Sequence, residues 1–214
     1  MLRAPVRPLP STLARREVTD KLHSMVTTRP PSNAACTGRW RPEHFVAGDA
    51  ALELANTVSH RRDPTLAEDR IADPRDLADW ARSLGIDAEA APASREDVPR
   101  IHAVRQVVHD AFAAIAAGRA PPRTAVAAVL RAAAEGFEAA GSAPPPLHAA
   151  LAWRAVVALA ALPRDRVGAC PSCGWLFLDT SRSGRRRWCS MATCGTTAKV
   201  RAFRSRRGTV RSAP

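Results

Sequence analysis

Apolar residues recur at helical spacing through the middle of this 214-residue chain and lose that spacing toward its end. Asp73 followed by Pro74 opens the first clear helix. The Asp can accept from free N–H groups, and Pro at the first helical position gives up no needed donor. Leu77, Trp80, Ala81 and Leu84 then share one face, and Gly85 ends the run. Residues 94–97 read as a capping box with Asp97 in the Glu/Gln place, although Pro99 leaves a later start open. Ile101, Val104, Val107, Val108, Ala111, Phe112 and Ile115 continue that helix to about Gly118. Pro121 and Pro122 restart a helix that carries Val126, Val129, Leu130 and Ala133. Residues 139–146, with three consecutive prolines, form a linker. Residues 147–162 are apolar almost all round, as a central buried helix would be, and Pro163 stops them. Upstream, residues 45–58 place Leu52, Leu54 and Val58 at mixed spacings that fit a short strand or a helix start.

After Gly168 the pattern changes. Residues 175–179 are strand-like, 181–184 form a turn, and 185–188 return, which predicts a β-hairpin lying between two pairs of cysteines. Residues 195–207 have helical composition, with Val200 and Phe203 spaced to pack inward. The expected fold is mainly α: a helical domain over 42–163, then a small cysteine module over 164–208 made of a short β-hairpin and a C-terminal helix, then a tail over 209–214. Residues 1–41 show no apolar periodicity and read as a disordered basic extension. A nucleic-acid-binding arm, a start codon nearer Met25 and an Arg-rich organelle-targeting segment compete with that reading.

Cys170 and Cys173 form one close pair, and Cys189 and Cys194 another. Gaps of this size let a tight turn present two sulfurs to one ion, and four thiolates close a tetrahedral Zn²⁺ site without leaving a place for water. One structural zinc is expected, and its binding would supply folding energy to a module too small to build a sufficient core alone. A redox dithiol is the competing reading; it calls for a βαβ unit that the pattern lacks. Cys36 is left over and reads as a free thiol in a reducing compartment.

Charge alters the picture next. The net charge of +12 is unevenly placed: +10 over residues 164–214, +6 over 1–41 and −4 over the middle. Basic ends on a mildly acidic body point to a polyanion, with DNA or RNA foremost. Only Lys21 and Lys199 are lysines, and the guanidinium fork of Arg suits phosphates and guanine edges. A GC-rich genome would also favour Arg, but it does not explain where the charges sit. No apolar stretch is long enough to span a bilayer and no secretory h-region is present, so a cytoplasmic, nucleoid-associated protein is expected.

Residues 173–181 and 186–195 resemble the CGNR zinc finger, a bacterial family named from the residues beginning at its last metal cysteine. Residues 45–58 resemble the start of the ABATE-type domain that usually precedes this finger. The resemblance implies a stress-linked transcription regulator, zinc on Cys170, Cys173, Cys189 and Cys194, DNA binding by the finger, and a sensing or assembly role for the helical domain. The sequence departs at the signature: Thr196 and Thr197 follow Cys194 and Gly195, where the family has Asn and Arg.

The leading functional expectation is therefore a zinc-stabilised DNA-binding regulator. Arg185, Arg186, Arg187, Lys199, Arg201, Arg204, Arg206 and Arg207 would dock on phosphates, with base edges within reach of the same side chains. Trp188 could stack on a base but fits a core place beside the sulfurs better. A zinc-scaffolded protein-interaction module without direct DNA contact is the alternative, and a homo-oligomer is compatible with either. No Ser-His-Asp set, paired-carboxylate spacing or glycine-rich phosphate loop is legible, so the chain is not expected to be an enzyme. His60, Arg61, Arg62, Asp63, Trp153 and Arg154 are the polar features of note in the helical body.

Overall fold

The computed structural model describes residues 36–61, 63–86 and 94–210, the last five as backbone only. Residues 1–35 of the expected basic extension, Arg62 and residues 211–214 lie outside the described residues. Residues 36–41 are part of the fold. Trp40 is buried, its indole N–H donates to the Asp76 carbonyl at 2.9 Å, and its ring lies 5.6 Å from that of Phe45. The folded body thus starts before residue 42.

The helices arise where the caps require. In the mixed-spacing stretch, Asp49 caps α1 (Ala50–Ala55), its carboxylate accepting from Ala51 and Leu52 N–H at 2.8 and 3.2 Å. A short antiparallel pair, β1 (Val58–Ser59) with β2 (Glu68–Asp69), follows. Asp73 caps α2 (Pro74–Ser83) as its sequence requires, bonding Arg75 and Asp76 N–H. The Asp97 carboxylate reaches back to Ser94 N–H at 2.7 Å, where α3 (Asp97–Ala116) begins. α4 (Arg123–Ala140) and α5 (Leu147–Ala161) complete the bundle.

α3, α4 and α5 pack on one another, and α1 wedges against α3 and α5. Gly136 of α4 has no room for a side chain, since a Cβ there would come within 2.2 Å of the Ala149 Cβ. That contact sets how closely α4 and α5 approach. α5 is buried along Leu147, Ala149, Leu151, Ala152, Ala155 and Ala158, yet Trp153 is 51% exposed. The helix expected to be central therefore has an outward face.

β3 (Val167–Ala169) and β4 (Leu176–Leu178) form the second antiparallel pair, in register Val167 with Leu178 and Ala169 with Leu176. This corrects the expected hairpin. The strand after the first cysteine pair turns back on residues before that pair, not on 185–188. The reason lies in Asp179, whose carboxylate takes Ser181 and Arg186 N–H at 2.8 and 2.7 Å and holds 180–187 as a loop. A wide turn over Met191–Gly195 leads into α6 (Thr196–Val210). No described helix is long and apolar enough to cross a membrane.

Candidate metal centre and cationic surface

The first cysteine pair sits at the tip of the β3–β4 hairpin. Cys170 N–H donates to the Trp175 carbonyl at 2.8 Å, and Gly174 N–H to the Cys170 carbonyl at 2.9 Å, closing a tight turn. Gly168, opposite Phe177, is required there, because a Cβ would meet the ring at 2.6 Å. The second pair flanks the wide turn, where Gly195 N–H reaches the Ser190 carbonyl at 3.0 Å.

The two turns bring Cys170, Cys173, Cys189 and Cys194 together, all four sulfurs within 4.8 Å of one another. The Cys173 and Cys189 sulfurs are 3.5 Å apart, and no cysteine is in a disulfide. Sulfurs about 2.3 Å from a tetrahedral ion would be separated by roughly 3.8 Å, so the spacing fits one zinc. With protons alone, S–H groups of Cys173 and Cys189 stabilise a Cys170 thiolate and pull its pKa far down. The same bonds push Cys173 up to about 12 and raise Cys189 as well. A metal ion replaces those protons and equalises the four sulfurs. Three of the four are buried beside Phe177, with Val46, Trp175 and Trp188 around them. Four cysteines and no open coordination place make this a site for one structural Zn²⁺.

The centre is built into the helical body. Asn56, at the end of α1, grips β4 twice: its amide donates to the Leu176 carbonyl and accepts from Leu176 N–H, both at 2.8 Å. Leu178 N–H donates to the Ala47 carbonyl at 2.8 Å, and the Trp175 indole to the Val58 carbonyl at 3.2 Å. His60 has φ 51°, and its N–H meets the Cys173 carbonyl at 3.0 Å. Its backbone, not its ring, thus serves the centre.

The residue-46 to residue-48 loop rests on Glu53, a buried carboxylate that accepts from Ala47 and Gly48 N–H at 2.7 and 3.2 Å. Burial pushes Glu53 up to about 8 and Asp49 up to about 7, and each keeps one oxygen without a hydrogen bond.

The expected cations divide into two groups. Arg186 turns inward. Its guanidinium donates to the carbonyls of Val46 (2.7 Å), Leu178 (3.2 Å), Trp188 (3.1 Å) and Cys189, and lies 4.4 Å from the Phe177 ring centre. Each of its three nitrogens already donates to a backbone carbonyl, so Arg186 is spent on the module itself and is set apart from the expected phosphate contacts. Arg185, Arg187, Lys199, Arg201 and Arg204 are exposed. Arg187 covers the half-buried Trp188 at 5.3 Å, leaving that ring in the core of the module. Asp165 and Asp179 are the only acids of residues 164–214; Asp179 is engaged by backbone and Asp165 lies 4.0 Å from Arg166. The module therefore has no carboxylate to spare for those five cations. The side chains of Arg206 and Arg207 lie outside the described residues.

α6 differs from expectation as well. Val200 and Phe203 are 42% and 55% exposed rather than packed on the sulfurs. The helix joins the rest through the wide turn. There the replaced signature residues are used: Thr196 and Thr197 hydroxyls donate to the Met191 and Thr193 carbonyls at 2.8 and 3.1 Å. They bond back onto the turn and do not cap the helix.

No pattern along the chain points to Asn56, Glu53 or the inward Arg186. A lone Asn or Glu in an apolar run, and one Arg among three, look the same whether they bridge or face water. Among curated proteins the comparison finds no match. Residues 166–207 match the model of the CGNR zinc finger. Residues 48–169 match the ABATE model, described as "Putative stress-induced transcription regulator". The two matches share β3, the strand that joins the body to the metal site. With more than half its length matched by that model, the chain belongs to the ABATE family and carries a CGNR zinc finger as its C-terminal module.

Proposed function

We propose that the chain is a DNA-binding transcription regulator without a catalytic step, in which zinc holds an Arg-rich module and the helical body senses a ligand or pairs subunits. The observation that carries this reading is the set Arg185, Arg187, Lys199, Arg201 and Arg204. These cations crowd one metal-held unit, all exposed, with no carboxylate left to neutralise them. Such crowding is self-repulsive until phosphates meet it, and each phosphate met releases counterions.

A gel shift on random duplexes over a salt series, with and without chelator, tests the reading. Five phosphate contacts predict that affinity falls about 500-fold between roughly 50 and 200 mM salt. Chelation should abolish binding, since the cations lose their common frame. Binding insensitive to salt, or unchanged without zinc, refutes it.

One observation favours a second reading, a protein-binding module: Met191, Val200 and Phe203 expose apolar surface beside the cations, which phosphates do not need. Capture of an acidic protein that persists after nuclease treatment would support it.

A further inference from the structure

The outer face of α4 and α5 is apolar and uncovered. Leu130, Phe137 and Trp153 are 48%, 43% and 51% exposed and, with Ala133, Ala134 and Val156, line an open cleft of about 500 Å³. The Phe137 and Trp153 rings meet edge to face at 6.3 Å. Along α4, Ala127, Leu130, Ala134 and Phe137 are all exposed, at spacings of three, four and three. That is the seam of a helix that packs lengthwise on another helix, with small residues alternating with large ones.

The charges beside the seam say which helix. Arg123 and Arg131 lie in the N-terminal half of α4, Glu135 and Glu138 in the C-terminal half, and all four are exposed. A helix with this order is complementary to itself when run antiparallel. A two-fold axis passing between Ala134 and Phe137 brings Arg131 of one copy beside Glu138 of the other, and the reverse pair forms by symmetry.

We propose that this face is a homodimer interface, in which α4 packs antiparallel on α4 of a second copy and Trp153 and Val156 of each α5 complete a four-helix arrangement. Helices of 18 and 15 residues are about 27 and 22 Å long at 1.5 Å per residue. With Arg131 opposite Glu138, residues 129–140 of each α4 overlap over about 18 Å, and Trp153 and Val156 of each α5 have to add to that seam to approach the roughly 1,000 Å² of a specific interface. The cleft is open along one side, so a small apolar ligand would stay half in water, whereas a second helix pair closes it. The face lacks the cationic excess that DNA requires. The inference is independent of the DNA reading and its test uses no nucleic acid.

Sedimentation of the full zinc-loaded chain over a concentration series measures the mass. A monomer–dimer equilibrium is expected. Trp153→Glu should weaken it by about thirtyfold or more, as for a central aromatic anchor. Because Trp153 is half exposed, its thermal midpoint should stay near that of the unaltered chain, and a matched midpoint separates interface loss from misfolding. Arg131→Glu should also dissociate the dimer, and the double exchange R131E/E138R should restore it. A chain that stays monomeric at hundreds of micromolar overturns the proposal, as does a dimer indifferent to W153E or a double exchange that fails to restore pairing. A monomer whose Trp153 fluorescence responds to a small apolar probe would make the cleft a ligand site and end the proposal as well.

Discussion

Arg185 and Arg186 are neighbours of identical chemistry, and the structure predicts opposite consequences for removing them. Arg186→Ala deletes a guanidinium that bonds four carbonyls and stacks on Phe177. A hydrogen bond to a charged group contributes about 1.5–3 kcal/mol where water does not replace it. The side chain is half-buried, so water reaches some of those carbonyls. Two bonds left unreplaced give a loss of about 3–6 kcal/mol. For a chain of this size that lowers the thermal midpoint by roughly 6–24 °C. The cation also lies beside the cysteine cluster, and losing such an outer neighbour weakens metal binding by about 10- to 100-fold. Arg186→Lys should recover only part, since one ammonium nitrogen in place of Nη2 leaves the Leu178 and Trp188 carbonyls, bonded by Nη1 and Nε, without their donors. Arg185→Ala removes an exposed side chain and should move stability by no more than about 0.5 kcal/mol. In the DNA reading it removes one phosphate contact and lowers the salt slope by about 0.9. Thermal unfolding followed by circular dichroism, with zinc release followed by a chromogenic chelator, reads both variants. An R186A chain that melts and holds zinc like the parent, or an R185A chain that shows the drop instead, would refute the assignment.

Asn56→Ala should cost about 2–5 kcal/mol, because it strands a buried N–H and a buried carbonyl of Leu176; denaturant unfolding checks this, and a change below about 1 kcal/mol counts against the grip on β4. Glu53 and Asp49 should subtract from stability as pH rises from about 5 to 8. Unfolded they ionise near 4.5 and 3.8, the folded chain keeps their protons to about 8 and 7, and unfolding in that window releases those protons. The zinc thiolates and the down-shifted His44 act in the opposite sense, so the difference in thermal midpoint between Glu53→Gln and the parent is the test: it should move in favour of the variant as pH rises, and a difference independent of pH contradicts the burial argument.

Much of the helical body was legible because its signals are local. Asp73 and Pro74 mark the start of α2, Ser94 and Asp97 the start of α3, and prolines punctuate α4 and α5. The four cysteines were equally plain, since close spacing fixes what their sulfurs can share. What was hidden is long-range. Val167, Gly168 and Ala169 are too short a run to announce a strand, so the pattern alone pairs β4 with the Arg-rich segment on its other side. Leu130 sits beside Val129 on α4, and the pattern does not tell which of the two faces out: Val129 is buried and Leu130 is 48% exposed. The all-round apolar character of α5 predicts burial on every side, whereas its Trp153 side faces water in the single chain. Val200 and Phe203 have the right spacing to pack, but they stay 42% and 55% exposed on a helix whose main contact is with the wide turn.

The hairpin that carries the first cysteine pair is rooted in the body, with Asn56, Ala47 and His60 holding its backbone. A finger cut free near residue 164 would leave its floor behind, and a body cut at the same point would expose the seat of β4. Neither half is a spare part that could be grafted elsewhere intact. Loss of the metal would consequently be felt as far away as α1, which makes the helical body a listener to the finger and not only its carrier.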